Sequence, residues 1–369
     1  MQAQEILNNF SCEGETLVSP FDYKLQYEGR IDFEREDGAV WVFPATCVRI
    51  RFFGKYLKAV VTNIHAYWEN SLGWILDGTE FKGILSQEGI TVLTLAAFAE
   101  AGEHELCLFK RQDSCHEVIV HGFLGDKDLE LLTPPEQRNR RIEVYGDSIS
   151  AGEVSEAVEC CGLPDPEHNG EYSNSYYSYA WLTARKLGAQ LHDVAQGGAA
   201  LMDDTGWFLE EGGSAVGMET IYDKITYHPE LLPVKNWDFK RYTPQVVIVA
   251  IGQNDNHPID YMAEDYNCER AVKWRNAYGK FLQTLRGRYP EAHIICVTSI
   301  LEHHKNWDLS IDQVCRELQD ARVHHFVYSK NGTGTKGHVR RPEAEQMAEE
   351  LSGFIESLGE EIWYDKTSE

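Results

Sequence analysis

The first 135 or so residues carry short apolar runs set close together, with no long helical period. Examples are Ala39-Val40-Trp41-Val42-Phe43, Cys47-Val48-Arg49-Ile50-Arg51-Phe52-Phe53, Tyr56-Leu57-Lys58-Ala59-Val60-Val61, Gly89-Ile90-Thr91-Val92-Leu93-Thr94-Leu95, Glu105-Leu106-Cys107-Leu108-Phe109 and Glu117-Val118-Ile119-Val120. Gly and polar residues punctuate them, which predicts an all-β antiparallel sandwich or jelly roll. Thr133-Pro134-Pro135-Glu136-Gln137-Arg138-Asn139-Arg140 breaks every period and reads as a linker. It divides the chain into 1–135 and 136–369.

Beyond the linker, strands alternate with helices. Arg141 to Tyr145 is β-prone, and Ser173-Asn174-Ser175 is placed to cap a helix over Tyr176–Leu187 that stops at Gly188. Leu191–Ala195 reads as a second strand. An irregular excursion from Met202 to Thr243, with a helix expected over Met218–Tyr227, is long enough to suggest a role at a cleft or interface. Gln245-Val246-Val247-Ile248-Val249-Ala250-Ile251 is the clearest buried strand. Then come a helix near Glu269–Arg288, a strand at Ile294–Thr298, a helix at Ile311–Arg322, a short strand at His325–Tyr328 and a last helix at about Pro342–Leu358. Buried strands alternating with helices predict a parallel sheet covered on both faces.

Four polar blocks fall where such strands meet their loops. They are Gly146-Asp147-Ser148, Gln196-Gly197-Gly198-Ala199, Gly252-Gln253-Asn254-Asp255 and Gly337-His338. Loops at the carboxyl ends of parallel strands share one crevice, and the residue types fit acyl transfer. Ser148 supplies a nucleophile and His338 a general base. Ser148 N–H, Gly198 N–H and the Asn254 side-chain amide are candidate donors to an oxyanion. Any one block is common by chance; the ordered set of four is the signal. Asp147 beside the serine projects differently from it and is expected to brace its loop.

The ordered blocks resemble the SGNH or GDSL hydrolase superfamily. The front sandwich, Trp237-Asp238-Phe239 and Tyr242-Thr243-Pro244-Gln245-Val246-Val247-Ile248 leading into Gly252-x-Asn254-Asp255 resemble carbohydrate esterase family 2. The resemblance implies a flavodoxin-like α/β hydrolase domain preceded by a jelly roll, and removal of acetyl groups from xylan and other sugars. In the wider family an Asp lies three residues before the His, but here that place is Thr335. The resemblance therefore implies a Ser148–His338 dyad oriented by a backbone carbonyl, with no side-chain acid named. Gln253 stands where the family more often has Thr, at a position expected not to touch the chemistry.

Composition narrows the partners. With 34 basic and 59 acidic residues the net charge is −25, a field that disfavours nucleic acid and anionic membranes but not neutral sugars. No apolar run approaches the roughly 20 residues of a spanning helix. The start, Met1-Gln2-Ala3-Gln4-Glu5, lacks the features of a secretory signal, so a cytoplasmic location is expected. Nine scattered cysteines fit reduced thiols; the vicinal Cys160-Cys161 receives no role.

Neither a cofactor nor a metal is expected. Gly332-Thr333-Gly334-Thr335-Lys336-Gly337 satisfies Gly-x-Gly-x-x-Gly but has no following strand, and reads as the loop presenting His338. His303-His304 and His324-His325 lack metal-ligand spacing. Trp207, Trp237 and Trp307 are candidates for stacking on sugar rings, with Trp307 preferred near the mouth. The expectation is a serine O-acetylesterase acting on acetylated xylan-derived or related oligosaccharides. A non-catalytic carbohydrate-binding protein and a lipase or thioesterase with another acyl preference are the alternatives, and homo-oligomer formation stays open.

Overall fold

The computed structural model describes residues 2–65, 67–207, 216–228 and 230–364. Two compact units divide the chain. The first comprises 1–137 with 169–171 and 225–235; the second comprises 138–168, 172–224 and 236–369. A single boundary at Pro135 is thus too simple, because two segments from the later half return to the first unit. Their contacts there explain it. Glu69 N–H donates to the Asn169 carbonyl and Lys235 Nζ reaches Asp32 at 2.6 Å.

The first unit opens with an eight-residue helix α1 (Ala3–Phe10) that the pattern did not disclose. Its few inward residues, Ile6 and Leu7, pack with Val60 and Leu124. One helical turn and a half of apolar spacing is too short to stand out in a β-rich region. Ten strands follow: β1 (Thr16–Val18), β2 (Gln26–Glu28), β3 (Ile31–Asp32), β4 (Ala39–Trp41), β5 (Cys47–His65), β6 (Ser71–Leu76), β7 (Thr79–Ile84), β8 (Ile90–Lys110), β9 (His116–Gly125) and β10 (Glu130–Leu131). They form one continuous antiparallel network rather than two separately paired sheets, with the path β3-β4-β9-β5-β8-β6-β7. Strands β5 and β8 are long enough to serve several neighbours, and their pairing shifts register between Gly54 and Tyr56 and between Leu57 and Lys58. Such irregularities bend a strand and increase its twist. Trp41, Phe52, Leu108 and Phe123 fill the core thus enclosed.

The second unit holds a five-stranded parallel sheet. In chain order it uses β11 (Arg140–Gly146), helix α2 (Ser148–Ala151), helix α3 (Tyr179–Lys186), β12 (Ala189–Ala195) and helix α4 (Met218–Ile221). Next in sequence comes a short ribbon of β13 (Lys224–Thr226) and β14 (Lys235–Asn236), of which 225–235 belong to the first unit. Then come β15 (Val246–Ala250), helices α5 (Tyr261–Glu264) and α6 (Glu269–Arg288), β16 (His293–Cys296), helix α7 (Asn306–Leu318), β17 (Val323–His325) and helix α8 (Arg341–Ser357). The sheet order β12-β11-β15-β16-β17 is the flavodoxin-like order, second-first-third-fourth-fifth. It reverses direction between β11 and β15, so the loops that follow these two strands flank the natural ligand crevice. Every residue of β15 is buried, as its uninterrupted apolar run requires.

Four elements differ from expectation. The helix expected from Met218 to Tyr227 ends at Ile221 and gives way to β13. Helix α7 begins five residues earlier than Ile311, and β17 two residues earlier than His325. Helix α3 is capped by Ser178, whose hydroxyl accepts from Trp181 N–H at 3.2 Å, while Asn174 caps the short 3₁₀ turn before it. Among the described residues no helix is long and apolar enough to cross a membrane.

Candidate active site

Strand β11 ends at Gly146, and the chain turns at once into the four-residue helix α2. The turn is tight: a Cβ on Gly146 would lie 2.1 Å from Ser150 Oγ. Asp147 is the N-cap of α2, its Oδ1 accepting from Ile149 N–H at 3.0 Å. Gly152, with φ of 76°, closes the helix in the left-handed conformation that a Cβ disfavours. Ser148 is therefore the first residue of a helix. Its N–H is among those the helix leaves unpaired, and the residue is 6% exposed.

The four sequence blocks meet. His338 Nε2 lies 2.8 Å from Ser148 Oγ. Asp147 Oδ2 accepts from both Gln253 Nε2 and Asn254 Nδ2 at 3.1 Å, and Asn254 Nδ2 also donates to the Ala199 carbonyl at 3.0 Å. Asp255 Oδ2 accepts from Leu201 N–H at 2.8 Å, which holds the loop after β12. Asp147 thus braces its loop as expected, and its burial pushes the carboxyl up to about 6 against the hydrogen bonds it accepts.

One expectation is overturned. The His338 ring is oriented by a side-chain acid, Asp165, whose Oδ2 is 2.7 Å from Nδ1. Asp165 stands 173 residues before the histidine, between Pro164 and Pro166, on a loop that carries no secondary-structure period. Thr335, at the place where the acid was sought, instead bridges backbone to backbone with Leu301. Asp165 Oδ1 accepts from His338 N–H at 2.7 Å and from the fully buried guanidinium of Arg340 at 2.8 Å. Burial raises the Asp165 carboxyl, but hydrogen bonds from His168 and His338 outweigh it and hold it far below the usual carboxylate range. The approach depends on Gly337, where a Cβ would fall 2.4 Å from Asp165 Oδ1. Two signals were present in the sequence: an aspartate stiffened by prolines on both sides, and a glycine directly before the histidine.

Two more groups border the triad. His168 Nε2 lies 3.2 Å from Asp165 Oδ2 and its Nδ1 lies 2.7 Å from Glu153 Oε1. Glu153 Oε2 is 3.9 Å from His338 Nε2. Donor atoms of Asp165, His168 and His338 lie within 4.8 Å of one another, a set with the residue types of a metal site. Their pairwise distances of 2.7 and 3.2 Å are those of direct hydrogen bonds. Burial lowers His338, and the hydrogen bond it donates to Asp165 together with the charge of Glu153 outweighs it, so the ring titrates above its ordinary value.

The remaining candidates divide. Gly198 lies on the loop after β12 with φ of 69°, a conformation suited to glycine. Asn254 is beside the nucleophile loop, but both of its amide protons go to protein acceptors, so it acts here as a tie between loops rather than as a free oxyanion donor. Gln253, expected to stand apart, donates to Asp147 and accepts from Ser299 Oγ at 2.8 Å.

The tryptophans also separate. Trp307 is fully buried, its Nε1 donating to Asp260 and its ring edge-on to Trp274. The early start of α7 puts it on the inward face of the first turn, so it cannot stack on a ligand. Trp237 is also buried, between His192 and the Arg241 guanidinium. Trp207 is 59% exposed and stacks at 3.8 Å on His257, which lies three residues after Asn254.

Known proteins resemble this chain over both units. Residues 27–135 match the carbohydrate esterase 2 N-terminal family and residues 144–327 the GDSL-like lipase/acylhydrolase family. A cellulase/esterase of Acetivibrio thermocellus is 28% identical over 344 residues, 90% of this chain, and the chain spans only 39% of that protein's length. An acetylxylan esterase/glucomannan deacetylase of Cellvibrio japonicus is 24% identical over 92% of this chain and 90% of its own length. The family two carbohydrate esterase of Clostridium thermocellum, solved with cellohexaose, superposes with a TM-score of 0.76 at 25% identity, covering 92% of this chain and all of that one. The chain carries the two domains of a family two carbohydrate esterase, a carbohydrate esterase 2 N-terminal domain followed by a GDSL-like acylhydrolase domain.

Proposed function

We propose that the chain is a serine carbohydrate O-acetylesterase that removes acetyl groups from xylan-derived or related oligosaccharides. The observation that carries this is the position of His338, 2.8 Å from Ser148 Oγ on one side and 2.7 Å from Asp165 on the other. Ser148 Oγ attacks the acetyl carbonyl while His338 Nε2 takes the hydroxyl proton. Asp165 holds Nδ1–H and stabilises the imidazolium, as the acid of a Ser-His-Asp triad does. Ser148 N–H and Gly198 N–H receive the oxyanion, each donor being worth about 10²- to 10³-fold in turnover. Collapse of the tetrahedral intermediate breaks the ester bond, and His338 returns its proton to the departing sugar hydroxyl. Water, deprotonated by the same imidazole, then releases acetate from Ser148.

Support for a sugar comes from the exposed Trp207 ring backed by His257, a flat face of the kind on which pyranose rings pack. The relatives named for acetylxylan and glucomannan support the acetyl group. Among the described residues none of the nine cysteines is in a disulfide, which supports work in a reducing compartment, the cytoplasm, on imported oligosaccharides. Asp165 beside His338 supplies an acid that a non-catalytic carbohydrate-binding protein has no need of, which weighs against that alternative.

The test is acetate release from a panel of acetylated xylo- and gluco-oligosaccharides, alongside nitrophenyl esters of increasing chain length. Release from acetylated sugars, abolished by Ser148→Ala, is expected. Full activity of Ser148→Ala, or preference for octanoate over acetate, would sink the reading.

A further inference from the structure

His338 is flanked by carboxylates at both nitrogens. Asp165 sits at Nδ1, and Glu153 lies 3.9 Å from Nε2, beside the hydroxyl of Ser148. Two anions on one imidazole would hold its proton too tightly for a base working near neutrality. His168 bridges them, its two ring nitrogens at 2.7 Å from Glu153 and 3.2 Å from Asp165, and its ring centroid is 5.1 Å from that of His338.

We propose that His168 is a positioning residue whose imidazolium clamps Glu153 and Asp165 together and sets the proton affinity of the base His338. This rests on the serine-esterase reading of the site. Two hydrogen bonds to carboxylates need both ring nitrogens protonated, so the geometry itself demands the cation. The hydrogen bonds to Asp165 and Glu153 accordingly raise His168 to about 9, and it stays charged through neutral pH. Glu153, although buried, is held below its ordinary value, chiefly by the hydrogen bond from His168 against desolvation. The other charges facing this cluster are Asp147, below the serine, and Arg340, on the far oxygen of Asp165. Arg340 neutralises Asp165 from behind. His168, like His338 itself, lies between the two carboxylates.

The prediction has a sign that mere support of the loop would not produce. Removing the imidazolium leaves an extra uncompensated negative charge next to His338, so the base binds its proton more tightly. Neutralising Glu153 does the reverse. The experiment is the pH profile of kcat/KM for nitrophenyl acetate, measured on His168→Gln, Glu153→Gln and the double variant. His168→Gln should move the acidic limb up by about one unit, a loss of about tenfold at pH values below it. Glu153→Gln should move it down, and the double variant should return it close to the wild-type position. An acidic limb unmoved or moved down in His168→Gln overturns the inference, as does one unmoved or moved up in Glu153→Gln. Should His168→Gln fail to fold, the direction of the Glu153→Gln shift decides. Ser148→Ala in the same assay tests the underlying reading separately, because full activity there would remove the triad rather than the clamp.

Discussion

Asp165 reaches Nδ1 of His338 at 2.7 Å across 173 residues of chain, from a loop fixed by prolines on either side. Asp165→Asn cannot accept the Nδ1 proton in the same way and presents an amide toward Arg340. Turnover should fall by about 10³- to 10⁴-fold with substrate affinity little changed. Steady-state kinetics on an acetyl ester, with a circular-dichroism melt to confirm folding, measures this.

Gly337 makes the same point sterically. A methyl group there would lie 2.4 Å from Asp165 Oδ1 and 2.8 Å from Asp165 N, both belonging to backbone or a hydrogen-bonded carboxylate that cannot swing away. Gly337→Ala should therefore push Asp165 from the ring and cost at least about 10²-fold in kcat. The control is Gly353→Ala on helix α8, where nothing lies within 4 Å of the added carbon; it should retain full activity.

The base must be neutral to act, and His338 titrates above its ordinary value of 6.5. Activity should thus rise with pH through a midpoint above 6.5, falling about tenfold per unit below it. Stability runs the other way. His168, raised from 6.5 to about 9 by its two carboxylate partners, binds its proton more tightly folded than unfolded. Its contribution is fully present below pH 6.5 and is lost as pH rises through about 9. Thermal melts of wild type and His168→Gln should differ by an amount on the order of 2 kcal/mol at pH 6 and converge near pH 10.

Asp147 Oδ2 receives amide protons from both Gln253 and Asn254. Asp147→Asn turns an N–H donor or loses an acceptor at that point, freeing Asn254 from the nucleophile loop. A loss of about 10- to 10²-fold in kcat is expected, since misplacing reacting groups by about 1 Å costs on that order. Asn254→Ala should cost at least as much. If Asn254→Ala is silent, the tie between these loops has no catalytic weight.

Trp207 is exposed and stacked on His257. Trp207→Ala should raise KM for acetylated oligosaccharides about 5-fold, the scale of about 1 kcal/mol for an aromatic contact, and leave nitrophenyl acetate unaffected. Equal losses on both substrates would place the ring in the site's structure rather than in sugar binding.

Periodicity alone determined much of this protein. The continuous apolar run Val246–Ala250 reads as a buried strand and is one, and α6 spans Glu269–Arg288 as its sequence predicts. Ordered polar blocks at strand ends also pointed to Ser148 and His338, which the folded chain brings to 2.8 Å of each other, because a sheet of this kind gathers its loops at one edge. Tertiary structure decided what no local pattern encodes. The inward turn of Trp307 follows from where α7 starts, and the capture of both Asn254 protons follows from the nearness of Asp147 and Ala199. The acid itself lies in an irregular loop with no period, and its role depends on one distance to a ring 173 residues away. A sequence fixes which side chains can bond; only the folded chain fixes which of them arrive within 3 Å of each other.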